Sequence, residues 1–181
     1  RQVGQADLIQ HALQTRYSAN SLQPAPDDLP RFVELFEKDA THAAIFKDFH
    51  IFQRSDNRWG KPSQIFLDLP FVDTGLTAYF DAISSGETKA LSETYLKSSV
   101  SQERLLRFAI AVGVIDRLPI DKVSCHQNPD KSELVWKAGG GWSSSYGIDE
   151  DYTVVGLAEL LAEKNIAISR LVWRTLCANK K

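Results

Sequence analysis

Two groups of carboxylates in the sequence have a spacing that could support chemistry. Asp149–Asp151 is a run of three consecutive acids, and clustered carboxylate oxygens suit a divalent cation or a positioned water. The same run precedes a predicted helix, whose positive dipole end it would complement, and we favour that structural interpretation. Asp68 and Asp73, on either side of Pro70, are interpreted as turn residues that bind local amides rather than as a catalytic pair. We assign no catalytic residue.

The histidines and cysteines do not form a metal-binding pattern. The four histidines are His11, His42, His50 and His126. None of them makes an HxxxH or HExxH pair, which would place two ligands on one helical face. Cys125 and Cys177 lie outside any CxxC spacing, which favours two reduced thiols and a cytoplasmic setting. We therefore predict no metal and no cofactor.

The run Gly139–Gly147, GGGWSSSYG, is the most glycine-rich part of the chain. It lacks the GxxxxGK[ST] pattern and contains no Lys, so a loop carrying Trp142 and Tyr146 is favoured over a phosphate cradle. Its serines have no GxSxG context, so no nucleophile is assigned. The surrounding segment, residues 124–147, is polar and long for a loop in a compact domain, and such loops often bind partners.

Cations accompany aromatic side chains at two further places. Trp59 lies between Arg58 and Lys61, an arrangement that suits either a stacking platform for nucleic acid or the alternating faces of a hairpin. Arg170, Arg174 and Lys181 share one face of the last predicted helix and could contact phosphates or an acidic partner. The solvated-face interpretation is preferred in both cases. The candidate contacts to a partner or nucleic acid are Arg58, Trp59, Lys61, Trp142, Tyr146, Arg170, Trp173 and Arg174.

Composition is that of an ordinary globular protein. The chain has 181 residues, of which 43% are hydrophobic and 24% charged, with a net charge of -2. No overall positive field is available to collect phosphates, and no apolar run approaches the length of a membrane span. The chain begins at Arg1 and contains no Met, so we expect a piece of a longer protein.

Hydrophobic spacing predicts the elements that would position these residues. A helix is expected over residues 5–18, followed by a Pro-rich linker to residue 26 and a second helix capped by Asp27. Residues 49–82 contain a predicted antiparallel hairpin that turns at residues 55–58 and returns at Trp59. A central helix begins at Ser101, carries an apolar stripe widened by Leu106 and Ile110, and stops at Gly113.

The C-terminal part is predicted to be helical. Thr153 is a plausible cap for a helix over Val154–Glu163, and Ser169 for a last helix over Arg170–Asn179. Residues 114–123 are expected to be extended and to lie at a sheet edge, because Pro119 interrupts them. The fold class predicted is α+β, mostly helical with a small antiparallel hairpin. We divide it into an N-terminal helix and linker, residues 1–26, and a main module, residues 27–181.

Five segments occur in the order FHIFQRSDNRWGKPSQIFLDLPFVDTGLTAYFDA, LSETYL, RLLRFAIAVGV, GIDEDYTV and SRLVWRTL. Together they resemble a module of large bacterial sacsin-like, ATP-binding proteins. The hairpin and the KPSQIFLD segment are also more loosely similar to parts of sacsin and of the plant NO VEIN protein. The resemblance covers most of residues 30–178 and consists of packing motifs. It implies a piece of a longer chain whose GHKL-type ATPase part lies elsewhere, since the GHKL nucleotide-binding motifs are absent here.

These observations favour a non-catalytic interaction or scaffold module of a chaperone-type protein. One alternative is a nucleic-acid-binding module of a bacterial defence protein, which would use Arg58, Lys61 and the basic face of the last helix. Another is a hydrolase with an acidic metal site at Asp149–Asp151. The first hypothesis expects an exposed apolar surface around Trp173 and Leu176, to which the parent chain or another protein binds.

Overall fold

A computed structural model describes residues 4–19, 22–25, 27–83, 86–124, 150–162 and 164–178. The predicted fold class, α+β and mostly helical, is confirmed. The α-helices of these ranges are α1 (Gln5–Arg16), α2 (Asp28–Lys38), α3 (Leu76–Ala82), α4 (Gln102–Val112), α5 (Leu157–Ala162) and α6 (Ile166–Ala178). The 3₁₀ helices are Ala40–Phe46, Pro62–Gln64 and Glu93–Lys97. None of the helices described is long and apolar enough to cross a membrane.

Short strands pair in twos. They are β1 (Phe52–Gln53), β2 (Trp59–Gly60), β3 (Ile65–Phe66), β4 (Lys89–Ala90), β5 (Ile120–Ser124) and β6 (Glu150–Val154). β1 and β2 form the predicted antiparallel hairpin, and Asn57 takes the left-handed conformation in its turn (φ 65°). β3 and β4 are parallel, whereas β5 and β6 are antiparallel.

Strand β3 is the centre of a small sheet that separates two clusters of buried side chains. β4 pairs with one of its edges, and Ile115 forms a parallel bridge to Phe66 on the other. The amide of Leu67 donates to the carbonyl of Ile115 over 2.8 Å, and that of Ile115 donates to the carbonyl of Ile65 over 2.9 Å. We call residues 65–67, 89–91 and 114–115 the dividing sheet.

The side chains of the dividing sheet point alternately to its two faces, and each face contributes to a different cluster. Successive residues of a strand point to opposite faces, so neighbours on the chain are buried on different sides. The first cluster receives Ile65, Leu67, Leu91 and Val114. The second receives Phe66, Ala90 and Ile115. One thin layer of backbone therefore organises both halves of the molecule.

The first cluster is a connected series of aromatic rings beneath α1, α2 and α4. Ring centroids lie 5.4 Å apart for Tyr17 and Phe32, 5.1 Å for Phe32 and Phe46, and 5.2 Å for Phe46 and Phe108. Helix α4 is central, as predicted, and ends at Gly113, which adopts a left-handed conformation (φ 106°). The expected widening of its stripe is wrong at Ile110, which is 42% exposed.

The second cluster joins α3 to the C-terminal elements. Phe66 stacks on Phe80 with ring centroids 4.7 Å apart, and the Tyr79 hydroxyl donates to the Val155 carbonyl over 2.9 Å. Side chains from β6, α5 and α6 complete it: Val154, Leu160, Ile168 and Val172.

The predicted helix over Val154–Glu163 is wrong at its start. Residues 150–154 form strand β6 instead, because this segment pairs along its whole length with β5. Gly156 makes the following turn (φ 74°), and α5 begins only at Leu157. Thr153 is thus a strand residue rather than a cap. Glu150 and Asp151 lie in the strand, so they do not precede a helix N-terminus as expected, and Asp149 lies outside the described residues.

Candidate functional site

The predicted contact residues fall into separate places. Arg58, Trp59 and Lys61 belong to the hairpin and the residue after it, which pack on the first cluster. Arg170, Trp173 and Arg174 belong to α6, which packs on the second. Trp142 and Tyr146 lie outside the described residues, as does Lys181.

Helix α6 is set by a cap that the sequence interpretation missed. The Asn165 side chain accepts from the amides of Ala167 over 2.8 Å and Ile168 over 3.4 Å, which satisfies two otherwise unpaired donors. The predicted cap, Ser169, is wrong because the helix already begins at Ile166. The Asn165 signal was readable in the sequence, but the apolar run after Ser169 suggested a later start.

One face of α6 packs inward and the other is open to solvent. Ile168, Val172 and Thr175 are buried. Ile166 is 70% exposed and Trp173 68% exposed, and both line a shallow groove with Ser169, Arg170 and Arg174. The spacing of 166, 170, 173 and 174 places them along one side of a helix. We call Ile166, Arg170, Trp173 and Arg174 the outer stripe.

The exposed surface expected around Trp173 is therefore present. An uncovered indole beside an uncovered isoleucine is unusual for a helix whose opposite face already fills a core. Leu176, the other residue named for this surface, has no described side-chain position.

On the hairpin, Trp59 is half-buried rather than an open platform. Its ring meets that of Tyr17 edge to face, with centroids 6.1 Å apart. Arg58 is exposed and Lys61 is half-buried. The hairpin itself is held by Arg54, a buried cation that pairs with Asp56 and donates to the Glu87 carbonyl over 3.0 Å.

A concave pocket adjoins Trp59, and sequence reasoning did not find it. Its volume is about 450 Å³, within the range of small-ligand sites. We call it the aromatic pocket; its principal residues are Tyr17, Phe32, Gln53, Trp59, Tyr95 and Lys97. They come from the residue after α1, from α2, from the hairpin and from the 3₁₀ helix Glu93–Lys97, so no local sequence motif indicates the pocket.

Two tyrosines fix the shape of the aromatic pocket. The Tyr17 hydroxyl donates to Asp28 Oδ2 over 3.0 Å and accepts from the Ala25 amide over 3.3 Å. The Tyr95 hydroxyl accepts from the Gln53 amide over 2.8 Å. Burial raises the pKa of both phenols well above the ordinary value, so both are neutral at physiological pH. The two phenols therefore add no charge to the walls of the pocket.

The acidic residues suggested for chemistry are not brought together. Asp68 is buried and accepts amide hydrogen bonds from Leu69 over 2.9 Å, Gly75 over 3.1 Å and Thr77 over 2.7 Å. Its interpretation as a turn residue that binds local amides is confirmed. Because one of these amides, that of Thr77, lies in the first turn of α3, Asp68 also stabilises the start of that helix. Asp73 is exposed. Within the described ranges, no group of three His, Cys, Asp or Glu residues could hold a metal ion.

Comparison with known proteins adds no relative. No protein-family model, curated protein or solved structure matches this chain.

Proposed function

We propose that this chain is a non-catalytic interaction module that binds a protein partner through the outer stripe of α6. The observation that carries this proposal is the exposure of Ile166 and Trp173 on the side of α6 that faces away from its own core. Leaving these side chains in water costs free energy that burial against a partner would recover. Such a module would suit the scaffold role implied by the sacsin-like resemblance.

The partner is expected to combine an apolar socket with an acidic rim. Trp and Arg are the residues most often found at energetic centres of protein interfaces, and here Trp173 lies between Arg170 and Arg174. Two guanidinium groups beside the indole favour carboxylates around the socket, because Arg pairs with carboxylates through two parallel hydrogen bonds. Ile166 extends the apolar area to one side, which favours protein over a phosphate backbone.

Site-specific photocrosslinking in cells tests this proposal. Trp173 is replaced by the photoreactive residue benzoylphenylalanine in the full-length protein, and crosslinked peptides are identified by mass spectrometry. We expect a defined protein segment that carries acids next to apolar residues. The matched control is the same replacement at Leu8, an exposed apolar residue on α1 that is 61% exposed.

Three outcomes would contradict the proposal. Crosslinks to RNA or DNA, lost when Arg170 and Arg174 are changed to Ala, would favour the nucleic-acid alternative. Crosslinks between two copies of this chain would show that the outer stripe mediates self-association rather than binding of a different protein. Equal, diffuse crosslinking at Trp173 and Leu8 would mean that the outer stripe is an ordinary solvated surface.

A further inference from the structure

The aromatic pocket shares no lining residue with the groove on α6, and three of its residues have a free hydrogen-bond donor. The Tyr95 hydroxyl already accepts from the Gln53 amide, which leaves its own proton to donate. The Gln53 side-chain oxygen accepts from Thr94 over 3.2 Å, which leaves its amide N–H₂ group. The indole N–H of Trp59 has no acceptor among the residues that the structure describes. All three residues line the pocket.

The Tyr17 hydroxyl already has hydrogen-bond partners within the protein. The Tyr17 hydroxyl accepts from Ala25 and donates to Asp28, so it is engaged in both directions. The charged groups of the lining, Asp27 and Lys97, are exposed and lie on different segments. The free donors of Gln53, Trp59 and Tyr95 therefore suit a ligand that brings acceptors.

Addition of a β-strand to the neighbouring hairpin is not available. The Gln53 amide donates to the Tyr95 hydroxyl, and the Gln53 carbonyl accepts from the Ser92 amide over 3.1 Å. An incoming strand would need these two groups free. A peptide in this pocket must bind through side-chain donors instead.

The apolar surface of the pocket suits flat, rigid rings. Phe32 and Ile51 are fully buried and form the base, while Trp59 and Tyr95 are half-buried and form walls. The chain's own Pro24 and Ala25 line the same pocket beside Tyr17. A proline-containing segment of the chain thus forms part of the pocket's lining.

We infer that the aromatic pocket binds an extended, proline-rich peptide segment. Proline has no N–H, so such a segment presents carbonyl acceptors without donors, which matches the donors of Gln53, Trp59 and Tyr95. Its polyproline II conformation exists before binding, so little entropy is lost, and pyrrolidine rings stack well in aromatic-lined grooves. This site is independent of the partner proposed for the outer stripe.

Titration of the intact, ¹⁵N-labelled chain with a short polyproline peptide tests the inference. We expect saturable shifts of the Trp59 indole N–H and of the Gln53 side-chain amide, and none from a Gly/Ser peptide of equal length. Trp59→Phe keeps an aromatic wall but removes the donor, and it should weaken binding roughly tenfold. Gln53→Glu keeps the oxygen that Thr94 uses and replaces the free donor by an acceptor, so it should weaken binding similarly.

The control variant is Trp173→Ser, which alters the outer stripe and should leave polyproline binding unchanged. Absence of saturable shifts in the wild-type chain would overturn the inference. Equal shifts with the Gly/Ser peptide would also overturn it, because they would show no preference for proline. Saturable binding of benzoate with none of polyproline would assign the pocket to a small carboxylated ring instead.

Discussion

The two clusters on either side of the dividing sheet differ in how the chain builds them and in the surface each presents. The first is formed by residues 9–114 and carries a concave pocket. The second combines residues 66–118 with β6, α5 and α6 from the end of the chain, and it carries the exposed outer stripe with its shallow groove. The deeper aromatic pocket suits a narrow segment, whereas an exposed indole suits the socket of a larger partner. The two surfaces therefore favour different kinds of ligand.

We expect the first cluster to be more rigid than the second, because its aromatic rings make more contacts with one another. Phe108 contacts three rings of the first cluster, with centroid distances of 5.8 Å to Phe36, 5.2 Å to Phe46 and 5.8 Å to Phe52. In the second cluster, Phe80 contacts Phe66 and Tyr79, with centroid distances of 4.7 Å and 4.9 Å. The first cluster should therefore open less readily than the second.

The largest effect is expected from Phe108→Ala. Its side chain is fully buried, so truncation leaves a cavity among rings and should lower the free energy of unfolding by about 4 kcal/mol. Urea denaturation measures this loss. Ile110→Ala, on the exposed side of the same helix, should change stability by less than about 0.5 kcal/mol.

Hydrogen exchange of the same variant tests whether the clusters are separate units. Amides of α1 and α2 should lose more protection than those of α5 and α6, because Phe108 belongs to the first cluster. Equal losses on both sides of the dividing sheet would show that the chain opens as one unit, and the distinction between the clusters would then be geometric only.

A smaller effect, on the other cluster, is expected from Gly156→Ala. Gly156 has φ 74°, and an added Cβ would lie 2.6 Å from Ile83 Cγ2. Left-handed strain and this clash together should cost about 3 kcal/mol. Gly113→Ala is the matched control: φ is 106°, but among the described residues other than its two chain neighbours no atom lies within 4 Å of an added Cβ. Only the backbone cost of about 1 kcal/mol then remains.

Relief of the clash tests its cause. Ile83→Ala in the Gly156→Ala background should recover part of the lost stability, which thermal unfolding of the single and double variants measures. Strictly additive losses would show that Ile83 does not oppose the new methyl group. Protection from hydrogen exchange should fall mainly in α3, α5 and β6.

Most elements of the first half of the molecule could be predicted from the sequence, because each is determined by residues that are close together in the chain. The turn at Asn57, the Gly113 stop and the stripe of α4 each depend on neighbouring residues, and all were predictable. β6 was not, since residues 150–154 become a strand only through pairing with residues 120–124. Leucine spacing in α5 extended the predicted helix backwards to Val154, the last residue of that strand.

The sites show the same limit. Trp173 was identified from a helix that was apolar around more than half its circumference, which is a local property. The aromatic pocket was missed because Tyr17, Gln53 and Tyr95 meet only in the folded chain. The spacing of these residues in the sequence does not indicate that they lie together in the structure. The assignment of Asp68 to a turn succeeded because its hydrogen-bond partners lie within nine residues of it.

The smallest expected effect comes from Asp68, which connects the dividing sheet to α3. Burial opposes ionisation of this carboxyl, but hydrogen bonds from Thr77, Leu69 and Gly75 outweigh it, so its pKa lies below the usual value. A carboxyl with a lowered pKa binds fewer protons in the folded state than in the unfolded one. Its contribution is therefore complete above about pH 4, the ordinary aspartate pKa, and is lost as the pH falls through the folded value.

Asp68→Asn should consequently lower the free energy of unfolding by about 2 kcal/mol at neutral pH, since a charged acceptor of several amides becomes neutral. The difference between wild type and variant should shrink as the pH falls below about 4, because the unfolded wild-type chain then binds a proton at Asp68 that the folded chain binds only at lower pH. Urea denaturation across this range isolates Asp68 from the exposed acids Glu37 and Asp39, whose lowered pKa values both proteins share. A difference that stayed constant with pH would mean that shape, not charge, holds the start of α3. If hydrogen exchange of Asp68→Asn showed a loss of protection confined to α3 and its neighbours, the second cluster could open locally while the aromatic rings of the first cluster remained packed.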